Sequence, residues 1–370
     1  MTRWTWFALA VALALPAVAQ AAGGMSTGTP DIKTAGPLTF GPQGVLFVGD
    51  PTGAAVFAIE TKDAQGVAEA KAVNVEGLDA KVAALLGTTP ADVTINDLAV
   101  NPVSGRVYLS VSRGQGAEAK PVILTVDGDG KIAQLSLENV TFAKADLPNA
   151  PAAPAAAAAG TAAPQRRARN PRAESITDLQ FVDGKLIVAG LSNEEFASKL
   201  RSIPYPFQAV SAGMSIEIYH GAHGQLETRS PVRTFTTYSI GGTPHLLAAY
   251  TCTPLVKIPI AKLSATEKVM GETVAELGNG NQPLDMFVYN KAGKDYVLMA
   301  NSSRGMMKVD LEKVANIEPI KERVSDTAGL PYEKIAAGQG VVQLDRLNAN
   351  QAIALVRNEG GLKISTMDLP

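Results

Sequence analysis

Apolar residues in this chain come in short runs, each closed by Gly, Pro, Asp or Ser. Tyr296-Val297-Leu298-Met299-Ala300-Asn301 is one such run; a polar turn follows, and Met306-Met307-Lys308-Val309 begins another. Residues 245–260 align with 296–311 without gaps, and the same strand, turn, strand order returns at 44–59, 105–126, 184–203 and 351–367. Runs this short, alternating or continuously apolar, predict β-strands, because successive side chains of a strand point to opposite faces. The six copies recur at irregular spacings of roughly fifty to eighty residues, longer than an ordinary blade period because of insertions.

Most copies have a further short strand upstream that ends in turn chemistry: Pro42-Gln43-Gly44, Pro102-Val103-Ser104-Gly105, Asp183-Gly184 and Lys291-Ala292-Gly293. Asp-Gly between two apolar runs predicts a type I′ hairpin, whose two central positions both need positive φ. Strand, hairpin, strand, turn, strand is the order of a β-propeller blade, and a blade must stack on neighbours to bury both faces. The expected fold is all-β: a single β-propeller of about six blades (six to seven) over residues 23–370. A β-sandwich would not repeat one hairpin grammar six times.

Pro283-Leu284-Asp285-Met286-Phe287-Val288, followed by the run at 296–301, resembles the YVTN and NHL propeller repeats. The likeness extends, more loosely, to six-bladed regucalcin/gluconolactonase-like proteins. It spans most of residues 37–370 at the level of the repeat, and implies fold more than activity.

Three insertions interrupt the array. Residues 76–87 place Leu78, Val82, Leu85 and Leu86 on one helical face, stopped by Gly87. Ser192-Asn193-Glu194-Glu195 reads as a capping box opening a short helix. Residues 148–173, rich in Ala and Pro, read as a low-complexity, disordered loop inserted between blades. Its Arg166, Arg167, Arg169 and Arg172 are read as solvated charges.

At the start, Arg3 precedes an apolar run from Phe7 to Leu15; Pro16 ends it, and small residues at Ala17, Ala19 and Ala21 follow. That is the layout of a signal peptide over residues 1–22, and it implies export to the periplasm with no membrane insertion after cleavage. Both tryptophans, Trp4 and Trp6, would leave with it. The chain of 370 residues carries a formal net charge of −2, which gives no footprint for nucleic acid. Its single cysteine, Cys252, can form no intramolecular disulfide.

Three constellations carry candidate chemistry. Asn96-Asp97-Leu98, Thr177-Asp178-Leu179 and Leu284-Asp285-Met286 put an Asp at the same point of the innermost strand of three blades. The gluconolactonase-like resemblance implies that Asp97, Asp178, Asp285 and Asn96 at the channel mouth would hold Ca²⁺ or Mg²⁺, which suit hard oxygen ligands. Such an ion would polarise an ester carbonyl and activate water, as in a metal-dependent lactonase-type hydrolase. The YVTN resemblance implies a structural role instead, with the Asp residues bonding backbone amides between blades, and this reading is preferred. The second constellation is His220, His223 and His245, the only histidines, with Cys252 one strand away. Imidazole with thiolate would suit Cu or Zn in a periplasmic redox- or copper-associated protein; surface turns account for the same residues. The third, Asp127-Gly128-Asp129-Gly130-Lys131, fails as an EF-hand: Lys131 and Ile132 stand where an oxygen ligand and Gly are required, so a hairpin turn is expected.

No P-loop and no dinucleotide-binding glycine pattern occurs. A complete scaffold without a nominated catalytic set is expected to work as a ligand-binding or protein-interaction module, its small-molecule or periplasmic protein partner seated at the channel mouth. Deleting residues 150–170 is expected to leave the fold intact; a large drop in melting temperature would contradict the loop assignment.

Overall fold

Each of the six sequence repeats forms the second and third strands of one antiparallel sheet. This is seen in the computed structural model, which describes residues 24–153, 170–252, 254–264 and 268–370. The signal segment 1–22 and residues 154–169 of the Ala/Pro-rich stretch lie outside the described residues. The hairpin chemistry is as the sequence predicts: Asp183 and Gly184 have φ of 47° and 74°, and Ala292 and Gly293 have 52° and 80°. Asp127 Oδ1 accepts the amides of Asp129 and Lys131, so the failed EF-hand segment is a side-chain-tied turn.

Among the described residues there are six sheets. Numbered in chain order, blades 1 to 6 begin with the innermost strands Leu38–Phe40, Val93–Val100, Asp178–Val182, Thr234–Ile240, Pro283–Lys291 and Val341–Arg346. The order around the axis differs from the order along the chain. Inner strands are neighbours in the cyclic order of blades 1, 3, 4, 5, 6, 2 and back to 1. The chain makes four strands of blade 1, the outermost Ser26–Gly28 among them, crosses to build all of blade 2, and returns to insert Val140–Asp146 into blade 1. It then runs through blades 3 to 6.

Alternation explains why the strands are apolar on both sides. In blade 1, Val45 and Phe47 pack with Ile176, Leu179 and Val188 of blade 3, while Leu46 and Val48 pack with Tyr108 and Ile123 of blade 2. Every blade interface is such an apolar layer. A strand covered on both faces reads as a near-continuous hydrophobic run.

The ring closes where blade 6 meets blade 2. Val75 bridges Ile364, and Val73 donates its amide to Thr366 Oγ1 at 2.7 Å. The helix Leu78–Leu86 covers this seam with Leu78, Val82, Ala83 and Leu86, and ends at Gly87 with φ of 64°. Leu85, expected on the buried face, is 47% exposed; Ala83 takes its place. The second expected helix does not form. Ser192 N bonds Ala197 O at 2.8 Å to close a loop, and the Glu194 carboxylate pairs with Lys199. The capping-box residues therefore shape a bend.

Adjacent inner strands are also joined by carboxylates. Asp178 Oδ2 accepts the amide of Phe235 at 2.8 Å, Asp285 Oδ2 that of Leu344 at 2.9 Å, Asp345 Oδ2 that of Val100 at 2.7 Å, and Asp97 Oδ2 that of Leu38 at 2.7 Å. Each acceptor lies in one blade and its donor in the next. Asp178→Ala orphans the amides of Leu179 and Phe235 and is expected to destabilise the fold by about 2 kcal/mol. Glu359→Ala, in an exposed turn, should stay within about 0.5 kcal/mol. Chemical denaturation of both variants checks the difference; equal stabilities would contradict the clasp.

Candidate functional site

The inner strands of all six blades line the channel, and β-bulges in three of them set which residues face it. The ladder skips one residue between Ile95 and Asp97, between Pro283 and Asp285, and between Val341 and Gln343. A bulge re-aims the side chains around it. Asp97, Asp285 and Gln343 are thus equivalent, and Asp345 lies two residues further along its strand. The sequence reading finds Asp97, Asp178 and Asp285 but misses Asp345, because Gln343 fills the repeated position. Asn96, also singled out, is a bulge residue; its Nδ2 donates to Ala35 O at 2.7 Å and Ser112 Oγ at 2.9 Å.

The carboxylate oxygens are largely committed. Asp178 Oδ1 accepts Leu179 N, Asp285 Oδ1 accepts Met286 N, and Asp345 Oδ1 accepts Arg346 N, while each Oδ2 takes the neighbouring blade's amide. This arrangement matches the preferred reading of amide-bonding Asp residues in geometry. Enclosure by protein pushes the group upward in pKa: Asp97 to about 8, Asp178 to about 7 and Asp345 to about 6, with Asp285 well above the carboxylate range. Burial is the leading cause in each, and the amide hydrogen bonds oppose it. Repulsion between Asp97, Asp178, Asp285 and Asp345 adds to the upward push on Asp97 and Asp285.

The Asp residues line a channel cavity of about 590 Å³. A second cavity of about 400 Å³ adjoins it at the end where the inner strands begin. Pro37, Asn96, Thr177, Arg233, Leu284 and Gln343 line both. Arg233 is held by Glu174 at 2.7 Å and Thr251 Oγ1 at 3.1 Å, and Gln343 Nε2 donates to Asn96 O at 3.1 Å. The mouth is a polar rim with two apolar contacts.

The histidine constellation divides. His220 and His223 meet, their ring centroids 3.9 Å apart, and both contact Glu227, which the sequence reading did not single out. Burial raises the Glu227 pKa, but the hydrogen bonds to His220 and His223 more than offset it and bring it down to about 2. His245 and Cys252 do not join them. His245 sits near the start of the strand Thr243–Ala249 with Nδ1 2.7 Å from Thr243 O. Cys252 lies beyond the other end of that strand, donating its amide to Asn281 O. Seven extended residues put those ends about 20 Å apart, too far for one ion. Gly24-Met25-Ser26-Thr27-Gly28 spells the nucleophile-elbow pattern G-x-S-x-G, but Ser26 is exposed on an edge strand paired with Phe142, with no strand-to-helix turn.

No protein-family model and no curated protein matches this chain. Among solved structures, it is similar to a glucose dehydrogenase at 11% identity and a TM-score of 0.35, with 94% of this chain and 99% of that one covered. It is also similar to the PQQ-bound aldose sugar dehydrogenase of Streptomyces coelicolor, at 12% identity and a TM-score of 0.34, covering 93% and 99%. Likenesses this remote carry no functional argument, so function is read from the chain's own residues.

Because the channel carboxyls titrate higher in the folded state than in the unfolded chain, their stabilising contribution is complete below pH 4 and lost as pH rises through about 6 to 8. Glu227 works in the opposite sense, and its contribution is lost as pH falls from about 4.5 toward 2. The melting temperature is expected to be highest at or below about pH 4 and to decline from there toward pH 9. Asp97→Asn should flatten the alkaline decline; an unchanged slope in that variant would contradict the assignment.

Proposed function

We propose that the protein is an exported, periplasmic β-propeller, with repeats of YVTN and NHL character, that binds a small polar molecule at the channel mouth. The observation that carries this reading is the pair of adjoining cavities lined by Asn96, Thr177, Arg233, Leu284 and Gln343. A concave site of a few hundred Å³ with a few convergent polar groups suits a small organic ligand. The acidic channel beneath favours a neutral or cationic one bearing hydroxyl or amine groups.

The lactonase-type alternative is less well supported. A cation shared by Asp97, Asp178 and Asp285 would compete with the backbone amides that those carboxylates accept. Removing those bonds would leave buried donors unpaired. Binding at the mouth leaves the four clasping carboxylates and their amide bonds undisturbed.

The test is a thermal-shift screen of polyols, sugars and amines against the purified protein, with affinity then measured by calorimetry. Gln343→Ala and Leu284→Trp should each weaken a hit at least tenfold while the fold persists. A hit unaffected by both substitutions, or none from the panel, would overturn the reading.

A further inference from the structure

The strand Met214–His220 begins in blade 3, where Lys199 pairs with Ser215 and Leu200 with Met214. Beyond that point it leaves the blade and pairs in parallel with Val269–Met270 beside blade 4. Thr273 Oγ1 holds Tyr219 O at 2.6 Å. His220 is therefore carried onto blade 4, away from the channel. A turn through Gly221 and Gly224 then starts the return strand Gln225–Glu227, which pairs His220 with Gln225 and Ile218 with Glu227.

That register explains the cluster. His220 and Glu227 are diagonal neighbours on one face of the hairpin, within reach of long side chains. His220 Nδ1 is 3.0 Å from Glu227 Oε2, and His223 Nδ1 is 2.5 Å from Oε1. Ser230 Oγ donates to Oε2 at 2.9 Å and fixes the carboxylate. One donor atom from each of His220, His223 and Glu227 fits within 4.8 Å.

Two orphaned atoms accompany the cluster. His220 is 2% exposed, and its Nε2 is buried without a partner. Glu276, fully buried, takes the Gly221 amide on Oε1 at 2.6 Å and leaves Oε2 unpaired. Gly221 eases this approach, since a Cβ there would lie 3.0 Å from Glu276 Oε1 and the neighbour would have to give by a few tenths of an ångström. Two carboxyls and two imidazoles gathered at a partly buried site, with no cationic side chain bonded to Glu276 among the described residues, make a place suited to a cation.

We infer that His220, His223 and Glu227 form a binding site for one Zn²⁺ ion, with a fourth position left for water. Two imidazoles and a carboxylate are a zinc donor set, and ligands about 2.0–2.2 Å from the metal stand about 3.3 Å from one another. From the present 3.0 and 2.5 Å, the His220 contact opens by about 0.3 Å and the contact of the half-exposed His223 by about 0.8 Å to reach that. Binding at Nδ1 replaces the contacts with Glu227; the Nδ1 proton of a neutral imidazole moves to Nε2 of the same ring, and that of an imidazolium leaves to solvent. His223, half exposed, is the ligand on the solvent side. Ser230 and the Gly221–Glu276 contact hold the hairpin from behind, as outer partners orient metal ligands.

The test titrates ZnCl₂ into untagged, chelator-treated full-length protein by calorimetry, with Co²⁺ absorption as a second readout. One saturable equivalent is expected, together with the visible band of four-coordinate cobalt. His223→Ala and Glu227→Gln, each checked for folding by circular dichroism, should weaken zinc at least tenfold and abolish the band. Absence of saturable binding in the parent protein overturns the proposal, as does binding unchanged in both folded variants. Neither outcome depends on the mouth ligand, because the two sites share no residue.

Discussion

The propeller depends on a carboxylate in one inner strand accepting a backbone amide of the next. Asp178 to Phe235, Asp285 to Leu344, Asp345 to Val100 and Asp97 to Leu38 tie four of the six junctions around the axis. Apolar layers between blades supply most of the driving force, but they are non-directional. A carboxyl acceptor with a fixed reach specifies which strand meets which, and at what register. The inner strands of blades 1 and 4, Leu38–Phe40 and Thr234–Ile240, contain no Asp, and their outward junctions rest on packing and other polar contacts.

This constraint also resolves the path of the chain. Blade 2 is built inside blade 1, so the first blade cannot be finished until the second is in place. The Asp97 clasp to Leu38 joins those two, and Asp345 joins blade 2 to the last blade made. The seam contacts at Val73, Val75 and the helix Leu78–Leu86 then come from the very segment that crosses between blades 1 and 2. Ring closure and blade insertion are one structural event.

Local features were legible in the sequence, and long-range ones were not. The six repeats are the second and third strands of the six blades, and the positive φ of Asp183-Gly184 follows from turn chemistry alone. Three of the four clasping carboxylates are visible because they share one repeat position. Asp345 was hidden by a register in which Gln343 takes that position. Glu227 was hidden because its proximity to His220 comes from a cross-strand diagonal, and no helix or strand period marks it. Pairing Cys252 with the histidines failed because adjacency in sequence placed it at the far end of a strand. The interleaving of blades 1 and 2 has no local signature, since each strand obeys the same alternation whichever neighbour it meets.

Raised carboxyl pKa values inside a channel invite a catalytic reading, as perturbed groups cluster at functional sites. Here the perturbation follows from the structural role: groups that hold the ring together must sit where water is scarce. The proposed ligand site lies at the rim, where polar side chains surround the mouth, and the proposed metal site on the hairpin that crosses from blade 3 to blade 4.

Native-state hydrogen exchange at the amides of Leu38, Val100, Phe235 and Leu344 tests the central claim most directly. The account predicts that all four exchange only through global unfolding in the parent protein, and that replacing Asp178 with Asn lowers protection at Phe235 further than at Leu344, which falls only by the loss of global stability. Exchange of these amides at the rate of open channel positions, or a loss at Phe235 no larger than at the other three, would contradict it.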